Sequence, residues 1–476
     1  MNSETIRNTV RPKNNPQIWK LVIIGIIILL LMIPTVWISF ITHERYQRKQ
    51  SVVDEIAGKW GSSQIISGPV VCVPYTVLTR STAIVHGDKV LPEPTGNDNL
   101  VPVTKYLYLA PDSLSVSGSV NTVMHKRGIF KVTGYKAGLT LRATKSKAIL
   151  DNPLYQELPL DWNAAMLAFD VLDQRGLKEI SGTVNGTPLI FNQAQDMLSV
   201  SSLPETKSLK NTISAYQGDS REQKNIDFKL ASPLKVDCRN QALDIDIKLS
   251  ITGTQQLSFA STALAEKLSL EGDWASPSFV GDRLPENRHV DAQGFKATWL
   301  ENKLNSGIKQ IWSSDEPILQ LSNMGVDFLV MVDSYQQTTR ALKYSVLFLL
   351  LTFMTFFFAE TVTRQRIHPI QYLMVGFSLM VFYLLLLSIS ERLAFSWAYL
   401  IAAAAVVSQI TLYCFSILKT RKFALQSGAM LVLLYIFLYV LLKLQDSALL
   451  IGSISLFLLL SLAMYVIRNI NWYNQD

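Results

Sequence analysis

Hydrophobic positions along the chain change period twice. An uncharged apolar stretch runs from Leu21 to Ile41, preceded by Arg7, Arg11, Lys13 and Lys20. Its length suits one crossing of a hydrocarbon core about 30 Å thick, and no small-x-small cleavage site follows it. It therefore predicts an uncleaved signal-anchor helix over 21–41, with a short amphipathic helix continuing from Tyr46 to Lys59. Period-two alternation then takes over, in Val70-Val-Cys-Val-Pro-Tyr-Thr-Val-Leu78, Tyr106-Leu-Tyr-Leu109, Phe130-Lys-Val-Thr-Gly-Tyr135, Ala168-Phe-Asp-Val-Leu172, Leu243-Asp-Ile-Asp-Ile-Lys-Leu-Ser-Ile251 and Leu268-Ser-Leu-Glu-Gly272. Such alternation sends successive side chains to opposite faces of half-buried strands. Near residue 343 the pattern becomes continuously apolar in five runs, 343–359, 369–390, 393–418, 423–442 and 447–467.

These periods predict an α+β membrane protein. Its expected parts are an N-terminal tail (1–20), a signal-anchor helix (21–41), a large antiparallel β-rich, sandwich-like domain (42–342), a five-helix transmembrane bundle (343–467) and a C-terminal tail (468–476). Turn residues punctuate the strands at Ser67-Gly-Pro69, Pro94-Thr-Gly-Asn-Asp98, Val184-Asn-Gly-Thr187 and Asn323-Met-Gly325. Asn185-Gly186 is the strongest hairpin signal, because a type I′ turn needs positive φ at both central residues. The polar segment from Leu203 to Lys224 reads as a long loop or a boundary between two β subdomains.

Charge sets the orientation. Lys and Arg accumulate in cytoplasmic loops. Placing the N-terminus inside also places Arg364, Arg366, Lys419, Arg421, Lys422 and Arg468 inside, while the opposite short turns carry only Arg392 and Lys443. Arg45, Arg48 and Lys49, just beyond the first helix, pull locally the other way. The expected topology is N-in and C-in, with 42–342 translocated. The chain is 49% apolar and only 17% charged, against about 25% charged for soluble domains, and its mean hydropathy is +0.22. The formal charge of +7 follows from these inside-facing residues, and no basic-aromatic interleaving points to nucleic acid. Cys72 and Cys238 fall in the translocated domain and Cys414 in a membrane run. An oxidising compartment allows a Cys72–Cys238 disulfide, while separate burial as small apolar residues is the commoner outcome.

Catalytic signatures are sparse. His43, His86, His125, His289 and His368 form no pair within a helical turn, and no closely spaced Cys pair exists, so neither a zinc site nor another cofactor is expected. Ser-x-x-Lys spacing occurs at Ser232/Lys235, Ser306/Lys309 and Ser416/Lys419, as chance allows in a chain this rich in both residues. A working motif would open a helix beside its partner motifs. Ion or proton transport would require ionisable groups deep in the apolar runs. The most polar deep residue there is Gln409, an amide of the kind that glues helices together.

The densest polar constellation is Asp333-Ser-Tyr-Gln-Gln-Thr-Thr-Arg-Ala-Leu-Lys-Tyr344. As a helix it sets Gln336, Arg340 and Lys343 on one stripe. One reading makes Asp333, Tyr335, Gln336, Arg340 and Lys343 a recognition or coupling surface at the outer leaflet. The plainer reading is the start of a spanning helix, with Asp333 as cap, Arg340 and Lys343 reaching lipid phosphates and Tyr335 in the interfacial belt. At the other face of the bilayer, Glu360, Arg364 and His368 are candidates to gather, His368 standing before Pro369 at a helix start.

Several stretches resemble the CreD family, bacterial inner-membrane proteins named for cell envelope integrity: Trp60-Gly-Ser-Ser-Gln-Ile-Ile-Ser-Gly-Pro-Val-Val-Cys-Val-Pro-Tyr75, Trp274-Ala-Ser-Pro-Ser-Phe-Val-Gly-Asp-Arg-Leu-Pro285, Gly294-Phe-Lys-Ala-Thr-Trp299, Gly325-Val-Asp-Phe328, Val332 to Tyr344 and His368-Pro-Ile-Gln-Tyr-Leu373. The resemblance implies an inner-membrane protein of the envelope stress response, under a two-component system that also touches the β-lactam response. It implies no reaction and supplies no catalytic residues. The expected function is non-enzymatic support of envelope integrity through a periplasmic domain that binds a protein or cell-wall component, with the lipid bilayer as constant partner. The alternative is a transporter or lipid-handling protein using the C-terminal bundle near Gln409.

Overall fold

The computed structural model describes residues 16–80, 100–148, 150, 152–194, 228–314, 316, 321–328, 334–363, 367–417 and 421–443, with isolated positions between 450 and 464. The chain forms two compact units, one of 1–50 with 332–476 and one of 51–331. The polar segment at 203–224, the turn at 94–98 and most of the last apolar run at 447–467 lie outside the described residues.

The helical unit is built from apolar runs. Helix α1 is continuous from Pro16 to Trp60, so the apolar stretch and its amphipathic continuation form one helix. A four-residue turn, α2 (Pro153–Gln156), belongs to the other unit. Then come α3 (Ser334–Lys343), α4 (Ser345–Thr363), α5 (Pro369–Ser390), α6 (Phe395–Ile417) and α7 (Arg421–Lys443). Among the described residues four helices are long and apolar enough to cross a membrane, and the pair α3–α4, bent by 49°, makes a fifth if read as one span.

The helices share one core. Leu31 of α1, Phe353 of α4, Leu379 and Tyr383 of α5, Val406 of α6 and Leu434 of α7 are all buried in it. Gly376 of α5 lets Leu31 pack closely, since a Cβ would stand 2.1 Å from the end of the Leu31 side chain, which would have to turn aside. The opposite side of α1, including Trp37 and Phe40, is exposed, as a lipid-facing surface is.

The other unit holds two sheets, with strands numbered in chain order. The first sheet runs β13 (Ser278–Gly281), β17 (Asn323–Asp327), β11 (Gln256–Ala260), β1 (Gln64–Arg80), β5 (Met166–Val171), β9 (Leu230–Pro233), β8 (Asn192–Gln193); β2 (Leu100–Leu109) also pairs with β1 and carries β16 (Ile311–Ser313). The second runs β14 (Asn287–Val290), β15 (Phe295–Glu301), β12 (Ala265–Gly272), β3 (Ser113–Arg127), β4 (Phe130–Lys145), β10 (Leu243–Thr254), β6 (Leu177–Val184), β7 (Thr187–Pro188). All six alternating stretches lie on strands. Asn185 and Gly186 turn at φ 50° and 78° and join β6 to β7 as their chemistry requires.

One core lies between the sheets. Leu107, Leu167 and Phe259 of the first meet Val116, Leu141, Ile247 and Trp299 of the second. Full burial of a side chain as large as Trp299 contributes about 2–3 kcal/mol, and its indole Nε1 donates to the Arg283 carbonyl at 3.2 Å.

The expectation of a purely antiparallel domain needs correction at two places. β1 pairs in parallel with β11, and β3 in parallel with β12. Alternation reveals which face a side chain takes, not which distant strand lies alongside. β1 manages both partner types by length: residues 64–67 pair with β11 and 71–80 with β2. The register on β5 shifts between Ser67 and Val70, which admits Pro69 into a strand without costing a ladder donor.

Candidate functional site

In the helical unit, α1 and α3 enclose a polar groove of about 280 Å³. From α1 it takes Thr42, His43 and Tyr46, which follow directly on the apolar run. From α3 it takes Tyr335, Gln336, Thr339, Arg340 and Lys343, so four of the residues singled out from the sequence share one cavity. Asp333 lies outside the described residues. α3 is amphipathic: Thr338, Ala341 and Leu342 are buried, which turns Gln336, Arg340 and Lys343 toward the other side. Its basic residues stand in the last turn, where the helix dipole favours positive charge.

Glu391, at the C-cap of α5, accepts from the Tyr335 hydroxyl at 3.2 Å and pairs with Arg45 at 3.8 Å. Arg48 pairs with Glu44 at 3.4 Å. Arg45 and Arg48, which pull against the expected topology, thus have acidic partners. Glu391, Arg45, His43 and Tyr46 were not legible as site residues, because their only sequence signal was a polar position near the end of an apolar run.

At the other end of the helical unit, Lys20 of α1 donates to the Glu360 carboxylate of α4 and to the Ile367 carbonyl at 2.7 Å. The Tyr372 hydroxyl of α5 donates to Glu360 at 3.0 Å. His368 serves α5 as N-cap, its Nδ1 accepting from the Ile370 amide at 3.3 Å while its own amide donates to Gln371 at 2.9 Å. Lys20 and Tyr372 are thus among the partners of Glu360, and Arg364 lies outside the described residues. Gln409 is exposed on α6. Elsewhere in the helical unit the interior is aromatic, with Phe382, Tyr399 and Tyr435 in edge contacts and the Tyr399 hydroxyl donating to the Tyr435 carbonyl at 2.6 Å.

The β unit presents two further features. On the outer face of the second sheet, Ser117 and Ser119 of β3, Thr140 of β4, Ser269 of β12 and Thr298 of β15 line a concavity of about 490 Å³, with a Glu271–Lys296 pair at 2.9 Å on its side. Strand alternation puts these short hydroxyl side chains on one face. On the inner face of the same sheet, Glu266 and Glu301 stand opposite each other on β12 and β15, both buried. Glu301 accepts from Arg283 Nε at 3.1 Å and from the Ser322 hydroxyl at 3.0 Å. Glu266 accepts the Thr262 amide at 3.3 Å, while its Oε1 makes no hydrogen bond within normal distance among the described residues. Burial pushes the Glu266 carboxyl up to about 8, the Ser261 hydroxyl pulling it back and the Glu301 charge adding to the rise.

The sequence Trp60-Gly-Ser-Ser-Gln64 has a structural task. Gln64, fully buried, exchanges hydrogen bonds with the Asp173 backbone (3.0 and 3.1 Å) and donates to the Thr252 carbonyl at 3.2 Å. Burial alone would raise the Asp173 carboxyl, but the Arg175 fork and the Ser62 amide outweigh it and hold it at about 2.

The remaining candidates resolve as structural. Ser232 is buried and accepts from the Ile190 amide at 2.9 Å. Lys309 pairs with Glu316 and not with Ser306, and Lys419 lies outside the described residues. His125 packs on the Trp60 ring at 4.7 Å, and His289 lies 3.5 Å from Asp291. Among the described residues no three His, Cys, Asp or Glu side chains are placed to hold a metal ion. Cys72 and Cys238 are both buried free thiols, Cys238 in the core between the sheets and Cys72 in a separate cluster with Val70, Tyr106 and Trp312.

Comparison with known proteins gives a consistent picture. The family model described as "Inner membrane protein CreD" matches residues 16–473. The chain is 31% identical over 470 residues to "Inner membrane protein CreD" of Escherichia coli (strain K12), covering 96% of this chain and 94% of that protein. Among solved structures, a point mutant of the M1 zinc metallopeptidase from Deinococcus radiodurans aligns at 9% identity over 46% of this chain and 42% of its own, with a TM-score of 0.20. The unmutated peptidase aligns at 8% over the same shares, with a TM-score of 0.18. Scores this low carry neither fold nor chemistry across.

Proposed function

The chain belongs to the CreD family of inner-membrane proteins, and from that premise we propose that it supports cell envelope integrity as a non-enzymatic binding protein. In this reading its β-rich unit stands in the periplasm, six helices span the inner membrane, and both termini are cytoplasmic. The supporting observation is the hydroxyl-lined concavity of the second sheet, which offers Ser117, Ser119, Thr140, Ser269 and Thr298 to a polar ligand. A row of neutral donors and acceptors with one flanking ion pair suits recognition by hydrogen bonds rather than bond-breaking chemistry. A periplasmic protein segment or a cell-wall component would present such groups.

Filling the concavity tests the reading. Ser117→Arg with Ser269→Arg is expected to abolish the protein's contribution to envelope integrity, read as sensitivity to detergent in cells lacking the native copy, while its membrane level stays unchanged. Wild-type sensitivity at wild-type level would sink the proposal. The orientation has its own test. A Cys placed at the exposed Ser115 should react with a membrane-impermeant maleimide in intact cells, whereas labelling only after lysis would reverse the topology.

A further inference from the structure

We infer that the groove between α1 and α3 is a binding site for the phosphate headgroup of a membrane phospholipid. Among the described residues, Tyr46, Gln336, Arg340 and Lys343 line the groove with no hydrogen bond or ion pair of their own. A phenol, an amide, a guanidinium and an ammonium therefore converge on one cavity with their donors unspent, and among the described residues no carboxylate lines it. Of the described acids at this end of the unit, Glu391 is taken by Tyr335 and Arg45, and Glu44 pairs with Arg48. The Tyr335 hydroxyl is thereby spent, and Thr42 and Thr339 bond back to their own helix at 2.8 and 2.9 Å. A compact oxygen-rich anion would satisfy the unspent donors together. A guanidinium matches a phosphate with paired N–H groups, and an ammonium supplies the point charge beside it.

The surroundings select a lipid over a free ion. The groove opens where the apolar run of α1 ends and where apolar α4 begins. Directly along α1, Trp37 and Phe40 are each 74% exposed, and Val346 and Leu350 are exposed on α4. An amphiphile would place its phosphate among the four donors and its acyl chains along these side chains. A soluble phosphate would gain only the first half of that site. The inference does not depend on what the β unit binds.

Native mass spectrometry of the full-length protein released from detergent reads the site directly. Phosphatidylglycerol and phosphatidylethanolamine are titrated, with diacylglycerol as the chain-only probe and inorganic phosphate as competitor. Wild type should retain one phospholipid, and Arg340→Gln with Lys343→Gln should need about tenfold more lipid for the same occupancy, the loss of one or two charge-assisted hydrogen bonds. Tyr46→Phe, which removes a single hydroxyl, should give a smaller loss. Lys443→Gln, at the end of α7 against the Tyr439 ring, should behave as wild type. Equal retention by wild type and the double variant overturns the inference, as does retention of diacylglycerol to the same degree. Displacement of the lipid by millimolar inorganic phosphate would assign the groove to the free ion instead.

Discussion

Glu266 is the residue whose environment is least suited to its charge. Its carboxyl is buried, one oxygen makes no hydrogen bond within normal distance among the described residues, and a second carboxyl stands directly across the strand pair. With the folded group near 8 and its ordinary value at 4.5, the folded chain keeps a proton that the unfolded chain releases between those pH values. Stability from this group is therefore whole below about 4.5 and declines as pH rises through about 8. Thermal unfolding of the full-length protein should show its melting temperature falling by roughly 5 °C between pH 5 and pH 8.5. Glu266→Gln should flatten that slope and raise the melting temperature at pH 8.5. A slope unchanged in the variant would assign the pH dependence elsewhere.

At the scale of elements, the helical unit is joined by a few polar ties at the ends of its apolar helices. Lys20, Glu360, Tyr372 and the Ile367 carbonyl connect α1, α4 and α5. Removing one member of a half-buried pair strands the other without a counter-charge, whereas removing both spares that penalty. Lys20→Met should therefore destabilise the protein in detergent by roughly 2–4 kcal/mol, and Lys20→Met with Glu360→Gln should recover part of the loss. A double variant as unstable as the sum of its two single variants would show that the pair is not coupled. His368 acts at the same scale: it starts α5 by capping it, which gives the sequence His368-Pro-Ile-Gln371 a structural reason.

For the whole molecule, the cysteines report on folding. Cys72 and Cys238 are buried, and burial pushes the Cys238 thiol up to about 11 and the Cys72 thiol further in the same direction. A thiol held far from its thiolate reacts poorly. Maleimide should leave both unlabelled in the native protein and modify both after denaturation, read as a mass shift on the peptides that contain them. Fast labelling of either thiol in the native protein would contradict the burial. A difference between oxidised and reduced samples would indicate a Cys72–Cys238 disulfide, against the two free thiols of the structure.

The sequence by itself determined the kind of each element and the face of each strand. Period two in Leu243–Ile251 and the uncharged run of Leu21–Ile41 follow from local physics, since every apolar residue there must meet a core or a lipid chain. Local chemistry also settled the Asn185-Gly186 hairpin and the start of α5 at His368-Pro369. Only the tertiary structure decided the partners. The parallel pairings of β1 with β11 and of β3 with β12, the Glu266–Glu301 opposition, and the groove that Tyr46 and Arg340 both line join residues far apart in the chain. No local period records such distances. The candidate groove was half legible for that reason: Gln336, Arg340 and Lys343 share one short helix and can be read together, whereas α1 supplies its wall through packing alone.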